Sequence, residues 1–464
     1  MSRAKYNFDQ KYFAEASFRR DGSSKFSKNK RWGNFWSIGG SWIITKEDFF
    51  NLDFVDNLKF RASYGEVGND QGASRYAYHA LYNIAQNANI AALYKSQNAA
   101  EDLIWETSSS VGVALEGRAF NRLNFNIEYF DKRSQNLHFD VNLPLSSGST
   151  STGSAVSSIT RNIGTISNSG LELTFDVDVL RGHDWYWNIG ANATFLKNKI
   201  VRLPEENREN GIISGNFKRI EGRSIYDFYM HQFAGVDQLT GDALYEVDAE
   251  SYNVNGSNPD ADAIPDEFLR EINGAYYTTN TTYGRRDWSG SAIPDVYGSF
   301  TTNVGWKNFT LSGIFTYSLG GKTYDYSYRS LMSMSGTPGA LHTDILNSWN
   351  GIPEGITETS ADRIDPNGTP LVDFTRSSYN NATSNRFLQD GSYLVIKNIT
   401  LNYSLPQEIA GRMSLTSLDV NLGVENLATF TKLKGMNPQQ SFAGSSQNAY
   451  LTPRVFTLGV NIGL

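Results

Sequence analysis

The chain contains no cysteine, which excludes a disulfide framework and thiolate metal sites and fits an oxidising envelope compartment. It has no run of 18 apolar residues, so no helix is expected to span a membrane. The five histidines (His79, His138, His183, His231, His342) are scattered, with no HExxH arrangement. Adjacent carboxylates such as Glu205-Glu206 and Asp266-Glu267 fall in loop-like sequence, and nothing singles out a pair for glycoside hydrolysis. No motif with a catalytic mechanism remains, so the chain reads as a non-enzyme. The formal net charge of -7 argues against nucleic acid as a partner. A signal peptide is also missing, because Met1-Ser-Arg-Ala-Lys5 runs straight into Tyr6 and Phe8 with no apolar segment. An envelope protein needs one. It was therefore removed, or the chain is the downstream piece of a longer polypeptide.

What is present is aromatic and alternating. The 464 residues include 25 Tyr, 27 Phe, 9 Trp and 41 Gly, against 12 Pro. Apolar residues recur at period two, the signature of half-buried strands. Trp185, Trp187, Ile189, Ala191, Ala193 and Phe195 alternate with Tyr186, Asn188, Gly190, Asn192 and Thr194. Leu418, Val420, Leu422 and Val424 alternate with Asp419, Asn421, Gly423 and Glu425, and the same pattern fills 171–179 and 309–318. These segments are about ten residues long, the length a tilted strand needs to cross a bilayer. A soluble sandwich would place Lys and Glu on the polar face. Here that face is mostly Asn, Ser, Thr, Gly and Asp, as a wet lumen requires. Trp32, Trp36, Trp105, Trp185, Trp187 and Trp306 sit near strand ends, where interfacial aromatic girdles belong.

Period-two matching predicts about thirteen strands, beginning near Tyr12, Asn34, Asn57, Trp105, Arg122, Ile163, Asp184, Phe228, Val296, Phe309, Tyr393, Ser417 and Arg454. Short turns (119–121, 181–183, 307–308) alternate with long connections near 66–104, 135–160, 199–227, 246–295, 320–390 and 427–452. That asymmetry belongs to transmembrane barrels. Residues 146–158 approach low complexity, and no separate soluble domain is expected. The fold class is all-β, a transmembrane antiparallel β-barrel.

Specific stretches then resemble one family. Lys11 to Phe26 (KYFAEASFRRDGSSKF), Trp32 to Trp42 (WGNFWSIGGSW), and Leu58 to Gly65 (LKFRASYG) with Gly68-Asn69 follow in order. Trp105-Glu106-Thr107, Asn162 to Glu172 (NIGTISNSGLE), and Gly235-Val236-Asp237 with Thr240 to Tyr245 (TGDALY) come next. Ile293-Pro294, Ile396 to Pro406 (IKNITLNYSLP), Glu425-Asn426-Leu427 and Gly435 to Pro438 (GMNP) complete the series. Together they resemble the C-terminal barrel half of the SusC/RagA group of TonB-linked outer-membrane transporters. The resemblance implies a plugged 22-stranded barrel in a Bacteroidetes-type Gram-negative outer membrane, with the long loops extracellular. It implies a SusD-like surface lipoprotein as partner, energy from TonB through an N-terminal region, and an oligosaccharide or peptide as cargo. Residues 1–464 then represent the C-terminal portion of a TonB-dependent receptor barrel, with the plug and early strands elsewhere. Two other readings stay open: a SusC-like barrel used as a scaffold in an envelope assembly, and a soluble all-β adhesin or carbohydrate-binding protein.

The metal-like stretch is Asn258 to Glu267 (NPDADAIPDE), where Asp260, Asp262 and Asp266 could offer the hard oxygens calcium needs. Many family members carry a calcium signature here. In this chain Ala263 replaces the turn glycine and Pro265 stiffens the loop. Tyr324 to Arg329 (YDYSYR) and Ala275 to Thr278 (AYYT) could stack on a ligand or order their own loops. Strict alternation in Tyr393 to Tyr403 would turn Lys397 toward lipid, which costs roughly 2–4 kcal/mol at the midplane. Lys397 is therefore expected at an interface, unless the strand bulges. In the last strand Phe456, Leu458, Val460, Ile462 and Leu464 should face lipid, paired to the Ser417 strand. Barrels of this kind usually end in an aromatic, and this one ends in Leu464.

Overall fold

The computed structural model describes residues 1–464 apart from 88, 143–157, 335–338, 434–436, 440–443 and 446–450. Most of the low-complexity stretch therefore lies outside the described residues. One antiparallel meander of thirteen strands carries the chain: β1 Ser2–Phe8, β2 Tyr12–Gly22, β3 Trp32–Ile43, β4 Val55–Asn69, β5 Glu106–Ala119, β6 Leu123–Asn142, β7 Ser158–Arg181, β8 Trp185–Arg202, β9 Val296–Trp306, β10 Phe309–Leu319, β11 Tyr393–Ser404, β12 Ser417–Thr431 and β13 Val455–Gly463. Each strand pairs with its sequence neighbour within this sheet, and β1 and β13 form its edges. No described helix is long and apolar enough to cross a membrane.

Twelve of the thirteen expected strands belong to this sheet. The segment at Phe228 does not. Asp227–His231 lies in a separate four-stranded loop sheet, where Phe228 and Met230 are buried in a protein core. Its alternation reflects packing against other loops. The thirteenth strand is β1, whose Arg3 and Lys5 dilute the apolar signal. The final strand pairs with β12 as expected, Ser417 opposite Gly463 and Leu422 opposite Leu458.

The register aligns the alternation into two faces. On one, Trp185 lies opposite Trp306, Trp306 opposite Phe309, and Phe309 opposite Tyr403. The ring centroids are 5.6, 6.1 and 4.6 Å apart, which makes an aromatic row at the short-turn end. Farther along, Phe300 stacks on Phe315 at 4.3 Å. On β8 the apolar residues of this face end at Phe195, which aligns with Leu171 and Tyr129. The next positions of the same face are Lys197 with Ser169 and Asp131, then Lys199 with Ser167 and Arg133. Ten residues separate Trp185 from Phe195. At about 3.3 Å per residue and a tilt near 40°, that is an apolar band about 25 Å tall, the height of a barrel's lipid face. Strands β6, β7 and β8, with 20, 24 and 18 residues, extend past this band.

Two expectations are corrected. Trp105 is not a girdle residue. It packs edge-on against Phe35 at 5.6 Å and gives its indole N–H to the Arg31 carbonyl. Lys397 is accommodated by a bulge: Ile396 and Asn398 pair with consecutive residues of β10, leaving Lys397 unpaired between them. A bulge adds one residue and resets the alternation, so Ile396 joins the apolar face. The Lys397 ammonium donates to Asn426 Oδ1 at 2.9 Å.

Candidate functional site

The face opposite the apolar band is mostly polar, interrupted by residues such as Phe13 and Ile314, and its chemistry changes around the sheet. On β4 to β7 it is ionic. Lys59 Nζ lies 3.3 Å from Glu116 Oε2, and Arg61 bridges Glu116 and Glu128 at 2.8 and 2.9 Å. Glu172, Asp176 and Asp178 follow on β7. Asp176 and Asp178 accept from Asn188 Nδ2 at 3.1 and 3.0 Å. From β8 to β11 it is amide and hydroxyl: Asn188, Asn192, Ser299, Thr301, Asn303, Thr310, Ser312, Thr400 and Asn402. Asn192 Nδ2 donates to Ser299 Oγ at 2.6 Å, and Asn192 Oδ1 accepts the Ser299 N–H at 3.0 Å. Neutral donors and acceptors of this kind bind weakly and exchange with water. Over β1 to β4 the sheet encloses a concavity of about 700 Å³ reached by Lys5, Asn7, Glu15, Ser37, Arg61 and Ser63.

Several motifs of the first third converge on one buried node at the long-loop end. Phe26, fully buried, packs 5.5 Å from Trp105 and 6.1 Å from His138. Glu106 accepts from Asn69 Nδ2 at 2.7 Å and from the His138 backbone N–H at 2.9 Å. The Asn162 amide accepts the Ile104 N–H at 2.9 Å and donates to the Ile104 carbonyl at 2.9 Å. The node ties loops to strands, and a cavity of about 460 Å³ opens beside it, lined in part by Ile104, Asn136 and Asn162. Sequence alone did not pair Glu106 with His138, which are 32 residues apart; a polar residue directly after a buried Trp was the available signal.

Above β8 to β11 the two longest excursions, 203–295 and 320–392, fold onto each other as a canopy. Phe228, Met230, Ala292, Tyr324, Met332 and Phe387 form one shared core. Ile364–Asp365 of the second excursion pairs with Phe233–Asp237 of the first. The Gly235-Val-Asp237 motif builds this junction. Asp237 is fully buried, its carboxylate takes a two-pronged hydrogen bond from Arg363 at 2.9 and 3.0 Å, and its Oδ1 also accepts the Leu239 N–H at 3.1 Å. Gly241, at φ +75°, lets the Trp349 ring close over the turn. Arg386 is sandwiched between the Phe233 and Phe387 rings at 5.3 and 5.0 Å, and burial lowers its pKa. His231 donates from Nδ1 to the Gly284 carbonyl at 3.0 Å while Nε2 accepts from Arg286 Nε at 3.0 Å. Burial first, and the Arg286 charge second, push its pKa below the ordinary value.

Asp260, Asp262 and Asp266 are all exposed on the canopy surface. Among the described residues no three His, Asp or Glu side chains gather closely enough to hold a metal ion. The segment is ordered instead by burial of Val254 and Ile264 and by the Asn253 N–H on the Asp262 carbonyl at 2.9 Å. The tyrosine-rich stretches mostly order their own loops. Tyr324 is buried, and Tyr328 packs on His342 at 4.8 Å and donates to Asp344 at 2.9 Å, its pKa pushed up to about 12, mainly by burial. Tyr326 alone of that stretch is well exposed.

A curved antiparallel sheet with an apolar band about 25 Å tall, an aromatic row at one rim and a polar inner wall defines the class: the wall of a transmembrane β-barrel of outer-membrane type. The match to known proteins agrees. Residues 2–427 fit the family model "TonB dependent receptor-like, beta-barrel", and the chain belongs to that family. It is 29% identical over 485 residues to TonB-dependent receptor P3 of Formosa agariphila, covering 99% of this chain and 45% of the relative. To TonB-dependent receptor SusC of Bacteroides thetaiotaomicron it is 23% identical over 488 residues, covering 99% and 43%. The chain thus spans about half the length of the curated relatives it matches. Among solved structures, the RagAB peptide transporter superposes with a TM-score of 0.76 at 24% identity, covering 100% of this chain and 47% of that one. The "open-open" state of the RagAB peptide importer gives 0.77 at 23%. These likenesses are of fold.

Proposed function

We propose that the chain is the C-terminal wall of a TonB-dependent outer-membrane importer of SusC type. The remaining strands and a plug would come from the rest of the protein, and a SusD-like lipoprotein would act as lid over the canopy. The cargo class is an oligosaccharide or a peptide. The observation that carries this reading is the inner wall. Its amide and hydroxyl sector on β8 to β11 lies directly beneath the canopy and offers many weak hydrogen bonds without fixed charge. A hydrated polar cargo can pass along such a wall without being trapped. The ionic sector on β4 to β7 suits a seated plug, since charged hydrogen bonds are the stronger ones.

The experiment is affinity purification of the intact receptor from outer membranes in mild detergent. A co-purifying surface lipoprotein and a bound oligosaccharide or peptide are the expected result. Membrane extraction without detergent would overturn the barrel reading. A receptor whose deletion leaves uptake of every co-purified cargo unchanged would overturn the importer reading.

A further inference from the structure

On the outer face a groove of about 960 Å³ opens where the apolar band ends on β6 to β8. Tyr129, Leu171 and Phe195 make its floor, and Lys197 stands one row beyond them. The far wall is a canopy loop carrying Arg223, whose guanidinium lies 3.8 Å from the centre of the Trp288 ring. The acidic groups around the groove are mostly engaged. Asp131 pairs with Arg133 at 2.9 Å and accepts from Ser167 at 2.8 Å. Asp227 faces Arg223 at 3.7 Å. Glu221 accepts the Leu203 N–H at 2.9 Å and faces Arg208 at 3.4 Å. Asp295 lies against Gly320 at the end farthest from β6. Lys197 and Lys199 are different: both are exposed, both point from the apolar face, and neither has a carboxylate within 4.0 Å among the described residues.

We propose that this groove holds a phosphate-bearing lipid of the leaflet on the long-loop side. Its acyl chains would lie on Tyr129, Leu171 and Phe195, and its phosphate would sit between Lys197 and Lys199. The proposal rests on reading this face as the lipid wall. Two free ammonium groups placed one and two rows past the end of an apolar band meet headgroups, where an anion is the complementary charge. The exposed aromatic and aliphatic floor beneath them is unused by free phosphate but is covered by a lipid's chains. Arg223, stacked on Trp288 and paired with Asp227, closes the groove's other wall.

The test uses the intact receptor in maltoside detergent, with native mass spectrometry counting lipid retained per protein after incubation with monophosphorylated lipid A. Arms with the dephosphorylated lipid and with competing inorganic phosphate separate lipid from free anion. The variant is Lys197→Ser/Lys199→Ser. Serine already occupies the paired positions 169 and 167, and heat-modifiable migration verifies the barrel before lipid is added, which tests the lipid-wall reading separately. The expected result is at least a fivefold loss of retained lipid in the variant and for the dephosphorylated lipid, with millimolar phosphate displacing little. Equal retention by the variant, equal retention of the dephosphorylated lipid, or full displacement by phosphate would each overturn the proposal.

Discussion

Removing the Arg363 guanidinium should uncouple the two halves of the canopy. In Arg363→Met the Asp237 carboxylate stays fully buried and keeps one hydrogen bond, from the Leu239 N–H to Oδ1. Both Arg363 contacts, at 2.9 and 3.0 Å, are gone. Breaking a buried pair in this way leaves an uncompensated charge and costs about 3–5 kcal/mol. The cost falls on the junction where Val236 and Asp237 pair with Asp365 and Ile364, so it should appear as local opening. At about 1.4 kcal/mol per decade, amide exchange should speed up at least a hundredfold in peptides covering 233–246 and 361–366. Peptides from β10 should keep their protection. Hydrogen exchange with mass spectrometry on the detergent-solubilised protein measures both at once. Asp237→Leu combined with Arg363→Met should recover most of the protection, because an apolar pair of similar volume is often no worse than the ion pair. A less than fivefold change in the single variant, or a double variant more exposed than the single, would refute the reasoning.

Acid should loosen the same canopy through His231. Its folded pKa lies below the ordinary value near 6.5, so the stability it contributes is complete above that value and is lost as pH falls through the folded pKa. Protonating Nε2 removes the acceptor for Arg286 and sets two cations face to face. Limited proteolysis around 284–286 should therefore quicken between pH 7.5 and 5, and His231→Gln should flatten that dependence. Asn426→Ala should lower the temperature of heat modification more than Lys397→Leu does. Asn426 holds both Lys397 and the Pro453 carbonyl (3.0 Å) and sits at φ +51°, so its loss should cost about 2 kcal/mol against about 1 for the lysine. Gly241→Ala should destabilise the canopy by at least about 2 kcal/mol. The added methyl would meet the Trp349 ring at 2.5 Å in a left-handed backbone, and exchange in the 233–246 peptide reads it.

Period two made the wall legible because lipid and lumen impose opposite demands on successive residues. Strands bounded by water and lipid therefore announce themselves, and the β12–β13 pairing could be read in advance. The same rule misassigned Phe228, since burial under another loop produces the same alternation as burial under lipid. It also favoured the interface over a bulge for Lys397, because the lysine signals that alternation must break but the site of the break depends on the neighbouring strand. Asp260, Asp262 and Asp266 lie within seven residues, a spacing a chelating loop allows, and all three are exposed, with no three-ligand group gathered among the described residues. The canopy was invisible in sequence because its cores join segments more than a hundred residues apart, such as Phe233 with Asn385 and Asp237 with Arg363.

The motifs that carry the family resemblance turn out to be scaffold. Phe26, Asn69, Trp105, Glu106 and Asn162 close one node. Asp237, Gly241 and Tyr245 build the canopy junction and its core. Asn426 braces the Lys397 bulge against the approach to β13. Each is buried, ion-paired, hydrogen-bonded within the fold or held at a positive φ, so its identity is dictated by the fold. Side chains that the fold leaves unengaged belong to the other class: Asn303 on the inner wall, Tyr326 on the canopy, Lys197 and Lys199 at the rim. None of them lies in a stretch that identifies the family. On the proposed importer reading, every scaffold motif can therefore be kept while the cargo changes. On that reading, specificity is to be sought by substituting polar residues of β8 to β11 outside the motifs, such as Asn303, with the motif residues left untouched.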